Sequence, residues 1–271
     1  MKNFFVKFVN FVIRDFFIAI SYKINLVIGM IGMFFGVLKF GFMAHFLQFG
    51  NSFPSLSSYG GSLISYLITG GIFMSYVNVA MNSFKSAIRS EQISGTLEYL
   101  LLSDTPIYQI IIFSGISNFL WTTLDAISVL LVVSVIFDMK MNINFGLSLF
   151  IILITIICIS GIGFASAGII MVTKKGDPIG WLFTTLTGVL SGVFYPISFL
   201  PKWIRFFSYL LPPTYALKAL RKALLTGSSF ASVKSQIYVL LLMTIITVPI
   251  GVFVFKKGYD RARVEGSLIE Y

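Results

Sequence analysis

Six long apolar stretches separated by short polar segments constrain this chain more than any other feature of its sequence. Hydrophobic residues make up 57% of the 271 residues, charged residues only 11%, and the mean hydropathy is +0.92. A soluble domain is nearer a quarter charged. Because about 20 apolar residues in a helix cross a bilayer core, the sequence predicts an all-α, multi-pass membrane protein that forms a single domain over 1–271.

Composition also excludes several kinds of site. Cys158 and His45 are the single cysteine and the single histidine, which excludes an intrachain disulfide and any site built from several cysteines or histidines. The net charge is +10, and the cations lie beside apolar spans and not in a basic arm. This pattern favours anionic lipid headgroups over nucleic acid as a partner.

The N-terminal stretch 2–22 has a pattern of its own. Polar residues recur at helical steps, and phenylalanines fill the opposite face. The pattern predicts an amphipathic helix in the membrane interface. A signal peptide is disfavoured, because Lys7, Arg14 and Asp15 interrupt any apolar region.

The apolar stretches that follow predict six membrane-spanning helices. We place them at 24–47, 59–81, 106–137, 145–172, 178–195 and 233–255. Small residues at four-residue spacing recur in the fourth span, and GxxxG pairs occur at Gly32 and Gly36 and at Gly188 and Gly192. Such faces let helices approach closely, either within one chain or between two chains.

Asp125 is the only charged residue deep in the predicted third span. An acid near the bilayer centre costs about 2.5–3.5 kcal/mol on insertion scales, so we expect this side chain to face protein or water. Two interpretations of Asp125 are open. Its side chain either contacts the substrate or gate, or forms a buried hydrogen bond to a neighbouring helix.

The distribution of cations predicts the orientation. Six spans place both termini on one side of the membrane. That side would hold Lys2, Lys7, Arg14, Lys23, Lys85, Arg89, Lys174, Lys175, Lys256, Lys257, Arg261 and Arg263. The other side has Lys140 and a cluster of six cations between Lys202 and Lys234. The positive-inside rule therefore predicts cytoplasmic termini in the cell membrane.

The stretch 89–104 is a polar break on the same predicted side. It combines charged residues, among them Glu91 and Glu98, with an apolar patch that includes Leu97 and Leu101. It is too charged to enter lipid and too short to form a domain. We interpret it as a docking element for a soluble partner, ending where Pro106 begins the next helix.

The stretch 196–232 is neither a polar loop nor a clean span. Pro201 opens a short aromatic helix, and Pro212-Pro213 breaks it. A second short helix, 214–225, carries Lys218, Arg221 and Lys222 on one side. The pattern predicts a re-entrant hairpin that dips into the outer leaflet, with its aromatics at the interface.

The motifs of several enzyme classes are absent from the sequence. There is no GxxxxGK[ST] phosphate loop, no HExxH and no GxSxG. ATP binding by a phosphate loop is therefore excluded, and the absence of these motifs disfavours an integral-membrane enzyme. A proton-coupled carrier is also disfavoured, because there is one intramembrane acid and no visible repeat.

Two segments together resemble the type-2 ABC transporter permeases. The first is Glu91-Gln92-Ile93-Ser94-Gly95-Thr96-Leu97-Glu98, followed by Leu101 and Pro106. The second runs Gly192-Val193-Phe194-Tyr195-Pro196, Leu200-Pro201, Leu211-Pro212-Pro213-Thr214-Tyr215-Ala216 and Leu220-Arg221. The family's usual Asn-Pro before Thr-Tyr is replaced here by Leu211-Pro212-Pro213, and the family's order of elements covers nearly the whole chain.

The resemblance implies partners and roles. Two permease copies, identical or related, would pair above two copies of a separate ABC ATPase subunit, and ATP and Mg²⁺ would bind to that partner. In the permease, a coupling helix seated in a cleft of the ATPase would include Arg89, Glu91, Gly95, Thr96, Leu97, Glu98 and Leu101. The outer hairpin, acting as a gate, would include Tyr195, Pro196, Trp203, Pro212, Tyr215 and Arg221. The permease itself would have no catalytic residue, cofactor or metal.

The substrate follows less directly. Spans that are rich in phenylalanine, 29 in all, and sparse in charge favour a hydrophobic or amphipathic cargo such as a drug or lipid. Export of a lipid-linked polysaccharide or glycan is the alternative within transport. A membrane scaffold that binds an ATPase without transporting is the alternative outside it.

Overall fold

The structure, a computed structural model, describes residues 2–21, 23–48, 56, 59, 62–93, 107–137, 141–173 and 176–264. Nearly all of them are helical. The helices are α1 (Lys2–Ser21), α2 (Lys23–Gln48), α3 (Leu63–Ile93), α4 (Ile107–Ile136), α5 (Phe145–Thr173), α6 (Pro178–Leu190), α7 (Lys202–Ser208), α8 (Pro212–Leu225) and α9 (Phe230–Val264), with a 3₁₀ turn at Ile197–Phe199. The described ranges contain no strand, and an isolated bridge joins Asn142 to Thr226.

Four of the described helices are long and apolar enough to cross a membrane. The apolar segments are Leu63–Ser86 in α3, Ile112–Ile136 in α4, Phe145–Ile170 in α5 and Phe230–Arg261 in α9. The predicted first span corresponds to the 26 residues of α2. The chain is thus a multi-pass helical membrane protein, and its six-span topology stays a prediction.

The predicted fifth span, 178–195, is the place where the helix boundaries differ most from expectation. Helix α6 has 13 residues and ends at Leu190. At 1.5 Å per residue it is about 20 Å long, shorter than a hydrocarbon core of about 30 Å. Gly192 has a φ of +79°, outside the helical region. Gly188 and Gly192 therefore do not form a GxxxG face on one helix, and that prediction is wrong.

Helix α3 is the centre of the molecule. It packs against α2, α4, α5, α6 and α8. Within its apolar segment 67% of the residues are buried, against 17% in α4 and α9. Large side chains such as Tyr66, Phe73 and Met81 are almost fully enclosed by these neighbours. Any movement of α3 must therefore displace several helices at once.

Helices α5 and α9 form the most extensive helix pair, and glycines make it possible. A Cβ at Gly161 would come within 2.7 Å of the Thr247 carbonyl carbon. At Gly251 and Gly258 a Cβ would overlap the carbonyl oxygens of Gly161 and Gly168. The two backbones touch, which is how small residues drive helix association in membranes. The predicted close-packing role of the fourth span's glycines is confirmed at Gly161 and Gly168.

The aromatic face of α1 lies on α4. The rings of Phe8 and Phe11 lie 5.5 and 5.9 Å from that of Phe113, and Phe16 stacks on Trp121 at 5.9 Å. Phe113 and Trp121 are about 12 Å apart along a helix that rises 1.5 Å per residue. Helix α1 thus follows α4 for about that distance. Its position in the membrane interface stays a prediction.

Prolines set the boundaries of the hairpin helices. Pro201 immediately precedes α7, as predicted. Helix α8 begins at Pro212 with Leu211 as its cap, two residues earlier than predicted, so the prolines open this helix as well as separating it from α7. A proline in the first turn lacks only an N–H that has no helical partner, so it starts a helix without loss.

The α5–α9 seam generates a test that uses two glycines of the same helix. We expect Gly161→Ala to lower the free energy of unfolding by about 1–3 kcal/mol, because the new methyl group meets the backbone at Thr247 and Val248. Gly146→Ala is the control, since a Cβ there meets nothing within 4 Å. Thermal unfolding in detergent measures both. Equal stability of the two variants would contradict the seam.

Candidate functional site

Two groups of hydrogen bonds between distant parts of the chain lie near the two ends of α3. We call the first group the Arg221 cluster; it consists of Tyr66, Thr69, Gly192, Val193 and Arg221. The guanidinium of Arg221 donates to the carbonyls of Gly192 at 2.7 Å, Val193 at 2.8 Å and Tyr66 at 2.9 Å. It also donates to the Thr69 hydroxyl at 3.3 Å, and the Tyr66 hydroxyl donates to the Gly192 carbonyl at 2.7 Å.

Arg221 is a buried cation that binds carbonyls and an aromatic ring. Its side chain is 2% exposed, and the guanidinium carbon lies 3.4 Å from the centre of the Tyr66 ring. In the part of the chain that the structure describes, no ion pair joins it to a carboxylate. A buried charge is tolerated only when its hydrogen-bonding groups are satisfied, and here backbone carbonyls satisfy them.

Two glycines make room for the Arg221 cluster. A Cβ at Gly70 would lie 2.9 Å from Arg221 Nη2 and 3.1 Å from the Val193 carbonyl carbon. Gly192, with its positive φ, turns the chain after α6 so that two successive carbonyls point at the guanidinium. The cluster therefore ties α8 both to α3 and to the end of α6, and the re-entrant hairpin that would contain α8 stays a prediction.

The second group is the Asp177 cluster, formed by Lys85, Ser166, Asp177 and Gly180. Lys85 forms an ion pair with Asp177, and the Ser166 hydroxyl donates to the same carboxylate. The backbone N–H of Gly180 donates to Asp177 Oδ1 at 2.8 Å. The predicted cap of the fifth span, Asp177 with Pro178 in the first turn, is confirmed. The cluster joins α3, α5 and the start of α6.

The Asp177 carboxyl is held in its charged form. Burial raises its pKa, but the three hydrogen bonds and the nearby Lys85 charge lower it by more, so the pKa lies below its ordinary value. A side chain at Gly180 would collide with this carboxylate. The turn between α5 and α6 is thus fixed both by charge and by close contact.

The two clusters lie about one bilayer thickness apart. Tyr66 and Lys85 are 19 residues apart on α3, which is about 28 Å at 1.5 Å per residue. A hydrocarbon core is about 30 Å thick. Helix α3 is therefore bound to its neighbours by charged groups near each end of its apolar segment. Between the clusters its contacts are mostly apolar, with a hydrogen bond from the Tyr76 hydroxyl to Thr123 of α4 at 3.1 Å.

Asp125 lies near the middle of the apolar segment of α4 and is exposed on the surface of the chain. Among the described residues, no hydrogen-bonding group reaches its carboxyl. The expected buried hydrogen bond to a neighbouring helix is therefore not formed within this part of the chain. The contact with substrate or gate stays a prediction.

A protein-family model for the ABC-2 type transporter matches residues 19–225. The match covers α2 to α8, the end of α1 and both clusters. The chain belongs to the ABC-2 type transporter family. A search of curated proteins finds no match.

Most of the predicted coupling region of this ABC-2 permease falls outside the described residues. Arg89 and Glu91 lie in the last turns of α3, which continues to Ile93 as a helix beyond its apolar segment. Their side chains are not described. The remaining members of the predicted coupling set, Gly95, Thr96, Leu97, Glu98 and Leu101, lie outside the described ranges. The coupling role of all seven stays a prediction.

The predicted hairpin residues of the permease are not brought together at one point. The Tyr195 hydroxyl donates to Val189, and the Tyr215 hydroxyl donates to Tyr209, so both bind locally. Trp203 is 71% exposed. Pro196 precedes the 3₁₀ turn and Pro212 is buried at the start of α8, so of the six predicted residues Arg221 alone hydrogen-bonds to α3.

The predicted basic side of α8 is wrong at Arg221. Lys218 is exposed, whereas Arg221 is buried against α3. Sequence reasoning missed Tyr66, Thr69 and the Lys85–Asp177 pairing. Thr69 sits beside Gly70 inside a span, a small polar pair that could have indicated a close approach. No spacing rule relates Lys85 to a residue 92 positions away.

The Arg221 cluster generates a test with a matched control. We expect Arg221→Met to lower the free energy of unfolding by about 1–3 kcal/mol, since buried carbonyls lose their donors. Amide hydrogen exchange in α8 should also rise. Lys218→Met removes the same charge from the exposed side of α8, and we expect it to change neither quantity. Equal effects of the two substitutions would contradict the cluster.

The Asp177 cluster generates a prediction of pH dependence. A depressed carboxyl pKa contributes stability that is present above the ordinary value of about 4 and is lost as the pH falls through the folded-state pKa. Asp177→Asn keeps a capping side chain but removes the charge. We expect the melting temperature of the wild type to exceed that of Asp177→Asn at pH 7, and the difference to shrink toward pH 3. A difference that is constant over this range would contradict the ion pair.

Proposed function

We propose that this ABC-2 permease is the membrane subunit of an exporter that moves a hydrophobic or amphipathic substrate, such as a drug or lipid, across the cytoplasmic membrane. A separate ATPase subunit supplies the energy, with two copies below two permease copies. The observation that carries the proposal is the continuity of α3. One helix of 31 residues links the Arg221 cluster, the Asp177 cluster and the start of the predicted coupling region.

In this proposal α3 transmits the movement of the ATPase. Closure of the ATPase displaces 89–104, and α3 moves with it because the helix is continuous through Arg89 and Glu91. The Asp177 cluster carries the displacement to α5 and α6. The Arg221 cluster carries it to the hairpin and α8. The hairpin gate and the membrane-facing helices thus respond to one displacement.

Features of α2 and α4 support a second permease copy beside this one. A Cβ added at Gly32 or Gly36 of α2 would meet nothing within 4 Å, so a partner helix has room to approach. Asp125 is exposed at the centre of α4, where contact with lipid costs about 2.5–3.5 kcal/mol. We place Asp125 on the pathway between the two copies, in contact with substrate or gate.

The experiment starts from the tagged full-length permease purified with the ATPase that accompanies it. The complex is placed in lipid vesicles, and ATP hydrolysis and movement of an amphipathic dye or a labelled phospholipid are measured together. We expect Glu91→Arg, and separately Gly95→Trp, to leave the complex inserted while movement per ATP hydrolysed falls at least about tenfold. Asp260→Arg is the control, since it reverses a charge on α9 outside the coupling region.

Three outcomes count against the proposal. Full transport by both coupling variants removes the coupling role of 89–104. If neither the dye nor the lipid changes the rate of ATP hydrolysis and neither crosses the membrane, the proposal of an apolar substrate is contradicted. A glycan would then be tested in the same vesicles. If the permease purifies without any ATPase, the proposal that a separate ATPase subunit supplies the energy is contradicted.

A further inference from the structure

A groove of about 410 Å³ lies between the C-terminal ends of α5 and α9, and its lining includes no member of either cluster. Its lining consists of Gly168, Ile169, Val172, Thr173, Val254, Lys257, Gly258 and Arg261. The volume is in the range of sites for small molecules, about 300–1,000 Å³. Three aliphatic side chains and two cations give the groove an apolar part and a basic part.

The groove lies where the apolar residues of both helices give way to polar and charged ones. The apolar segment of α5 ends at Ile170. The apolar segment of α9 extends to Arg261, but its run of uncharged residues ends at Phe255, where Lys256 and Lys257 follow. Ile169 and Val254 therefore lie on the membrane side of this boundary, and Thr173 and Arg261 lie nearer the aqueous side.

Glycines set the width of the groove. Gly168 and Gly258 belong to the seam where the backbones of α5 and α9 touch, and a Cβ at either would meet the backbone of the opposite helix. The seam therefore fixes the distance between the two walls of the groove.

The ammonium of Lys257 is held at the depth of the boundary. It lies 4.6 Å from the centre of the Phe253 ring, one turn earlier on α9. Helical side chains lean toward the N-terminus of their helix, which for the end of α9 is toward the membrane interior. Phe253 does not line the groove but Lys257 does, so the ammonium lies at the rim of the groove, where a lipid phosphate would meet it.

We propose that this groove binds an anionic phospholipid, with part of one acyl chain along Ile169, Val172 and Val254 and the phosphate beside Lys257 and Arg261. The apolar walls disfavour a small soluble anion. The two cations disfavour a lipid without net charge. Basic sites between membrane helices at this depth are typical of sites for acidic lipid headgroups. The binding is independent of transport and of the cargo.

Native mass spectrometry of the purified full-length permease in detergent measures this binding. Palmitoyl-oleoyl phosphatidylglycerol is titrated against phosphatidylcholine with the same acyl chains. We expect one phosphatidylglycerol to be retained at concentrations at which phosphatidylcholine is not. Lys257→Gln and Arg261→Gln should each weaken phosphatidylglycerol binding about fivefold, the contribution of one cation near a membrane surface.

Two further variants separate the groove from general attraction to acidic lipid. Lys256→Gln removes a neighbouring exposed cation that does not line the groove, and we expect no change. Val172→Phe fills the apolar part without changing charge, and we expect weaker binding of phosphatidylglycerol. Glycerol 3-phosphate, the headgroup phosphate without acyl chains, should not compete.

Several results would overturn the proposal. If the two lipids are retained equally, Lys257 and Arg261 do not select the anionic lipid. An equal loss in Lys256→Gln and Lys257→Gln shows attraction to the whole surface. Competition by glycerol 3-phosphate at the lipid's own concentration shows a site for soluble anions. Unchanged binding in Val172→Phe removes the acyl-chain contact.

Discussion

The burial of one guanidinium determines much of the arrangement around α3. A charge taken out of water costs several kcal/mol unless its donors are all satisfied, and Arg221 is satisfied by backbone carbonyls and a tyrosine ring. One accepting carbonyl, that of Tyr66, belongs to α3, and the other two, of Gly192 and Val193, lie just beyond the end of α6. Helix α6 ends at Leu190, and the next residues turn toward Arg221.

The Arg221 cluster and the Asp177 cluster divide the molecule into tightly and loosely held parts. Helices α3, α5, α6 and α8 are joined by charged groups, and α9 is joined to α5 by touching backbones. Helix α4 packs against α3, whereas most described residues of α1 and α2 are exposed on the surface of the single chain, and α1 contacts α4 through aromatic rings. A rigid unit beside an open apolar surface suits the proposed movement against a second copy.

The proposed lipid groove follows from the same seam. Glycines that bring α5 and α9 together also leave space beside the contact, and the cations that end the apolar sequence of α9 stand at its rim. Helix packing and lipid binding are thus two consequences of one set of small residues. An acidic lipid there would reinforce the rigid unit at the end where the ATPase is proposed to act.

The sequence alone determined the helices whose bounds depend on residues close together in the chain. Apolar length placed α4, α5 and α9 within about six residues of their observed apolar segments, and an Asp-Pro pair placed the start of α6, because hydrophobic burial and capping act over one or two turns. Only the tertiary structure decided that Arg221 is buried while Lys218 is exposed, and that Lys85 meets Asp177. These outcomes depend on which face of a helix meets a distant neighbour in the chain. No pattern of residues within a single helix contains that information.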